Sequence, residues 1–71
     1  MNRFMEVDGR RLKELRRERA LSQRDLAQLS GVSYDAIAKL ERGRREAQPR
    51  TVRRLAEALG VEPHELMKQG E

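Results

Sequence analysis

The sequence predicts an all-α fold, a compact bundle of five short helices, and three observations predict it. First, an apolar residue repeatedly stands five positions before another with a helix-starting residue between them. The pairs are Val7 and Leu12, Leu21 and Leu26, Val32 and Ile37, Ala47 and Val52, and Val61 and Leu66. That is the spacing of a hydrophobic staple, in which the residue before an N-cap packs on the fourth residue of its helix. Second, Gly31, Gly43 and Gly60 each fall just past an apolar-periodic stretch, where a left-handed C-cap belongs. Third, no stretch alternates apolar and polar residues at period two, so strands are not expected.

The first helix is expected over 9–18. Asp8 is its N-cap, and it ends without a glycine near Glu18 to Ala20. The second, over 23–30, opens on Ser22, and "SQRD" approximates a capping box with Asp25 in the returning position. The third, over 34–41, opens on Ser33. A side-chain oxygen at these caps accepts from a backbone N–H that the helix leaves orphaned. The fourth and fifth helices, over 49–58 and 63–68, start from the poorer caps Gln48 and Glu62. Pro49 and Pro63 then fall at the first helical position, where proline is pre-organised and forfeits no bond. The apolar stripes give a core of Leu12, Leu15, Leu21, Leu26, Ala27, Leu29, Val32, Ile37, Leu40, Val52, Leu55, Ala56, Leu59, Val61 and Leu66. Residues 1–8 are expected to form an N-terminal arm and 68–71 a tail around a single domain with its core over about 10–67. Phe4 either packs back from the arm or lies free.

A chain of 71 residues builds one domain, and at this size folding buries modest surface. The chain has no Cys and one His, which excludes disulfides and thiolate zinc sites and leaves no metal cluster, so no cofactor is expected. His64 reads as a lone exposed side chain. There is no nucleophile–base pair, carboxylate dyad or phosphate-cradling glycine loop, so the sequence does not read as an enzyme. No apolar run approaches the roughly 20 residues of a membrane span, and the N-terminus has no signal-peptide core; a cytoplasmic location and no membrane partner are expected. The net charge is +4, and thirteen of the sixteen basic residues are Arg. Arg suits phosphate geometry; charge alone fits a polyanion-binding surface and a solvated basic face equally.

The break at Gly31 decides between them. A straight helix from Ser22 to Glu41 would be a rod with one apolar stripe. Breaking it at Gly31 drops Val32 into the core, lets Ser33 recap the backbone and turns the following helix outward. Two helices at a steep angle across a short turn containing Gly form a helix-turn-helix. At 100° per residue, Ala36, Ile37 and Leu40 form the inward stripe of the third helix. Tyr34, Asp35, Ala38, Lys39 and Arg42 form its outward face, with small Ala38 near the middle. Such a helix fits the major groove of double-stranded DNA, where each base pair shows its own donor and acceptor pattern. Lys39 can donate to guanine O6 or N7; Asp35 can accept from cytosine N4 or pair with Lys39 four residues on.

"LSQRDLAQLSGVSYDAIAKLERG" followed by "PRTVRRLAEALGV" resembles the Cro and phage-repressor type of helix-turn-helix domain, the Xre family, over about residues 10–67. The resemblance rests on Gln23, "LA" at 26–27, Gly31–Val32, Ile37, "LERG" at 40–43 and "LAEALGV" at 55–61. It implies that Gln23 holds a phosphate and braces the recognition helix. It places Tyr34, Asp35 and Lys39 at base-reading positions and Ala38 facing the groove, although the family more often carries an uncharged polar residue at the position of Asp35. Arg42, Arg44, Arg45 and Arg50 would lie against the DNA backbone, with Arg24 and Ser33 completing the phosphate-facing set. Arg16 and Glu41 would form a partly buried salt bridge, and Val61, Leu66 and Met67 a homodimer interface. The implied function is a transcriptional regulator, in particular a repressor on a pseudo-palindromic operator. The rivals are an antitoxin-like component that binds a toxin partner and its own promoter, and a protein-interaction module that has lost DNA reading.

Overall fold

Four α-helices carry the fold in the computed structural model, which describes residues 4–68. They are α1 (Gly9–Glu18), α2 (Gln23–Ser30), α3 (Tyr34–Arg42) and α4 (Pro49–Leu59). The caps act as their chemistry requires. The Asp8 carboxylate accepts from Arg11 N–H at 3.2 Å, and the Ser33 hydroxyl accepts from Ala36 N–H at 3.1 Å. Ser22 and Asp25 form a reciprocal capping box, each accepting from the other's backbone N–H at 2.9 and 3.0 Å. Gln48 makes no cap bond, and Pro49 starts α4 in its place. At the end of α1, which has no glycine, Ala20 takes the left-handed conformation at φ +56°.

The expected fifth α-helix is a single 3-10 turn over Pro63–Leu66. The chain then becomes extended at Met67, which forms a bridge with Val7, and Lys68 N–H donates to the Glu6 carbonyl at 2.9 Å. Pairing with the N-terminal segment competes with helix propagation and wins after one turn. The expectation of no strands is also overturned. Met5–Glu6 (β1) pairs antiparallel with Glu46–Ala47 (β2), in the register Met5 opposite Ala47. Residues 5–8 are therefore not a loose arm: Val7 is buried, its N–H donates to Arg45 O, and Asp8 N–H donates to Leu66 O at 2.8 Å. Of the arm and tail, residues 1–3 and 69–71 lie outside the described residues.

Helix α1 packs on α3, α2 on both α3 and α4, and the 3-10 turn on α1 and α4. Leu12, Leu26, Ile37, Val52 and Leu66 are wholly buried where these elements meet. Val7 and Ala47, the staple residues of the first and fourth helices, join the core through the strand pair. Leu21, Ala27 and Val61 pack against the core from its edge. Leu29 does not belong to it and is 63% exposed. The buried stripe of α2 runs through Leu26 and Ser30, flanked by half-buried Gln23 and Ala27, and Leu29 falls outside that 3.6-residue stripe.

Gly9 opens α1 where the chain passes directly over the end of α3. A Cβ there would run into the Leu40 carbonyl and press on Glu41 Cα. Glycine is required at this position by close approach. The turn between α2 and α3 has a different need: Gly31 takes φ +74°, its N–H donates to Ala27 O at 2.9 Å, and the buried Ser30 hydroxyl accepts from Val32 N–H at 3.1 Å. The N–H groups of Gly31 and Val32 are thus both bonded while Val32 enters the core.

Candidate nucleic-acid interface

The orientation of α3 is fixed by one buried charge pair. Arg16 on α1 donates to Glu41 on α3 through Nε at 2.7 Å and Nη2 at 3.0 Å, and its Nη1 donates to Leu21 O at 2.7 Å. Gln23, the first residue of α2, donates through Nε2 to Glu41 Oε1 at 3.0 Å. Glu41's side chain is only 4% exposed. Three elements therefore converge on one carboxylate: the body of α1, the start of α2 and the end of α3. Burial on its own would raise the Glu41 carboxyl pKa; hydrogen bonds from Arg16 and Gln23, with the charges of Arg16 and Lys13, outweigh it and hold the carboxyl below its ordinary value. The same hydrogen bond to Glu41 raises the Arg16 guanidinium further above its ordinary range, against its own desolvation.

Drawing Glu41 inward rotates α3. Its buried arc runs from Leu40 through Ile37 and Glu41 to Ala38, which is 8% exposed. Ala38 is thus not the centre of the outward face, as its angle from Tyr34 suggests; it lies at the edge taken into the interior. Asp35, Lys39 and Arg42 form the exposed arc, with Tyr34 at its N-terminal end. Lys39 Nζ stands 3.1 Å from Asp35 Oδ2, an i,i+4 pair with both side chains exposed. The carboxylate is thereby compensated within the face. The Arg24 guanidinium of α2 lies 5.4 Å from the centroid of the Tyr34 ring, so one helix steadies the first side chain of the next.

Arg42, Arg44, Arg45 and Arg50 are exposed and make no ion pair among the described residues. Their backbone is held: Arg44 N–H donates to Lys39 O at 3.0 Å, Arg45 O accepts from Val7, and Arg50 lies in the first turn of α4. Ser33 is exposed, and its hydroxyl is occupied as the α3 cap. The expected dimer residues separate. Leu66 is wholly buried within the subunit and cannot meet a second copy, because the 3-10 turn carries it under α1 and α4; Val61 and Met67 are half-buried at the core's edge. The residues that sequence reasoning does not single out are Gly9 and Ser30, whose roles depend on distant backbone and on one turn. Among the described residues no cluster of His, Asp or Glu could hold a metal ion, and no helix is long and apolar enough to cross a membrane.

A family model described as helix-turn-helix matches residues 12–66, most of the chain. The chain belongs to the Cro/phage-repressor, or Xre, helix-turn-helix family. The helix-turn-helix-type transcriptional repressor RghR of Bacillus subtilis is 45% identical over 62 residues, which cover 86% of this chain and 45% of RghR. This Xre-type chain spans under half the length of RghR and of two further curated relatives. Among solved structures, the restriction-modification controller protein C.AhdI of Aeromonas hydrophila is 44% identical with a TM-score of 0.78, over 83% of this chain and 89% of that one. SinR, the master regulator of biofilm formation from Bacillus subtilis, solved in complex with DNA, is 26% identical with a TM-score of 0.77, over 79% and 90%.

Proposed function

We propose that this Xre-type domain is a sequence-specific DNA-binding transcriptional regulator, acting as a repressor with α3 in the major groove. The observation that carries this reading is the exposed arc of α3, braced from behind by the Arg16–Glu41–Gln23 cluster and continued by arginines without acidic partners. Lys39 and Asp35 offer one donor and one acceptor group to base edges; Lys39 suits guanine and Asp35 suits cytosine N4. Arg42, Arg44, Arg45 and Arg50, with Gln23, Arg24 and Ser33 at the two helix starts, supply backbone contacts that set register without reading sequence. The likeness to SinR, a protein solved with DNA, and to RghR, a named repressor, supports the reading.

One recognition helix reads few base pairs, so two copies are expected on inverted half-sites about one helical turn (~34–36 Å) apart. Val61 and Met67, partly exposed beside the 3-10 turn, are the residues through which the copies would meet. Selection of bound duplexes from a random pool tests the function. The expected product is an enriched motif of two inverted halves separated by about one turn. A pool that retains no motif after repeated rounds would contradict sequence-specific reading.

A further inference from the structure

Behind the exit of α3, where the start of α1 passes over it, the surface holds an open depression of about 520 Å³. Four cations line it: Arg10, Arg42, Arg45 and Lys68. Sequence reasoning places only Arg42 and Arg45 near DNA; Arg10 and Lys68 arrive from opposite ends of the chain, brought there by the pairing of residues 6–8 with Arg45 and with Leu66–Lys68. The two carboxylates at its rim are already engaged. Asp8 caps α1 and Glu41 is bound by Arg16. None of the four cations has an ion-pair partner among the described residues.

Arg10 is the informative member. It occupies the second position of α1, at the positive end of the helix dipole, where a cation is disfavoured. Its neighbour Arg11 is compensated by Glu14 at 3.4 Å and Glu65 at 3.8 Å, whereas Arg10 is left uncompensated. Nothing in the stability of the helix calls for a free guanidinium there; an external anion does.

We infer that this depression is a binding site for a phosphodiester of the DNA backbone, gripped by Arg10 and Lys68 together with Arg42 and Arg45. The inference rests on the DNA-binding reading and extends its footprint to the face behind α3. DNA is favoured over an acidic protein segment on two grounds. Arg42 belongs both to the depression and to the exposed arc of α3, so a strand whose groove receives α3 continues into it. The lining includes Gly43, where a Cβ would meet nothing within 4 Å and the backbone stays open to a phosphate, and Val7, its one large apolar residue, is buried and offers no anchor for a peptide side chain.

The test is the salt dependence of binding to a random-sequence duplex. We compare the wild type, the double variant Arg10→Gln/Lys68→Gln, and the charge-matched control Arg53→Gln/Arg54→Gln on α4, whose residues do not line the depression. Each phosphate left without its cation lowers the log–log slope by about 0.9, so the depression variant is expected to fall by up to that amount and the control by much less. Circular dichroism verifies that all three remain folded. Equal slopes for the depression variant and the wild type would overturn the inference while leaving DNA binding intact, and would point to a different anion, such as an acidic protein segment. An equal fall for the variant and the control would overturn it as well, since net charge alone would then explain the effect. Absence of any wild-type affinity at low salt would remove the DNA-binding reading itself, and the inference with it.

Discussion

Replacing Glu41 by Gln is expected to destabilise the domain by about 3–5 kcal/mol, because it leaves the Arg16 guanidinium buried against a neutral partner. Arg16 is 9% exposed and has no other acidic group in reach among the described residues. Small domains have only ~5–15 kcal/mol of stability, so the variant should be partly unfolded at ambient temperature. Urea denaturation measures the loss. Replacing both partners with apolar residues, Arg16→Met with Glu41→Leu, should recover much of it, since a buried pair contributes little beyond the cost of separating it. The same pair sets an acid limit. Glu41's folded pKa lies below its ordinary value of 4.5. Its contribution is therefore fully present above that value and is lost as the pH falls through the lower folded pKa. Asp25, held low by its bonds to Ser22, adds a second acid-sensitive contribution of the same sign. An acid titration of stability should fall less steeply for Glu41→Gln than for the wild type. A wild-type melting temperature for Glu41→Gln would show that the pair is not the brace described.

Gly9→Ala should cost about 3 kcal/mol or more, with a sign opposite to the usual effect of this substitution in a helix. Ala ordinarily favours a helix by about 0.5–1 kcal/mol over Gly. Here its methyl would collide with the Leu40 carbonyl and the Glu41 backbone, neither of which can give way without moving the end of α3. Thermal unfolding followed by circular dichroism measures the loss. The displacement should also weaken DNA binding in whatever fraction remains folded, because Arg42 and the arginine loop begin at that point. A neutral or stabilising Gly9→Ala would mean that α1 does not cross α3 in the way described.

Local signals in this sequence are legible and remote ones are not. Caps, staples and the turn glycine act over four or five residues, and they place α1 to α4 to within a residue of their ends. The Arg16–Glu41 pair is legible too, through the resemblance to the Xre pattern, whereas the bond from Gln23 to the same carboxylate is not, since that pattern assigns Gln23 to a phosphate. The strand pair cannot be read, since two residues show no period and the partners stand some forty positions apart. Gly9 looks like an ordinary helix start for the same reason: what excludes a Cβ is the backbone of Leu40. The misplacements of Ala38 and Leu29 share a cause. Wheel angles fix which residues share a face but not how far the helix is rolled, and roll is set by partners, here Glu41 for α3 and the α3 and α4 contacts for α2. Leu66 reads both as a core residue and as a dimer contact; the 3-10 turn folds it wholly under the core, which leaves the first role and removes the second.

Base reading by the exposed arc of α3 is the proposal on which the function stands. Its most direct test is to select bound duplexes in parallel with the wild type, with Lys39→Ala and with Arg44→Ala. Removing a base-reading group costs about 1–3 kcal/mol of discrimination at the position it reads, whereas removing a phosphate-binding group weakens all sequences alike. Lys39→Ala is predicted to lose preference at one position in each half-site, retaining the others, and Arg44→Ala to recover the wild-type motif with uniformly lower affinity. An unchanged motif for Lys39→Ala, with full affinity, would place sequence reading on another face of the domain.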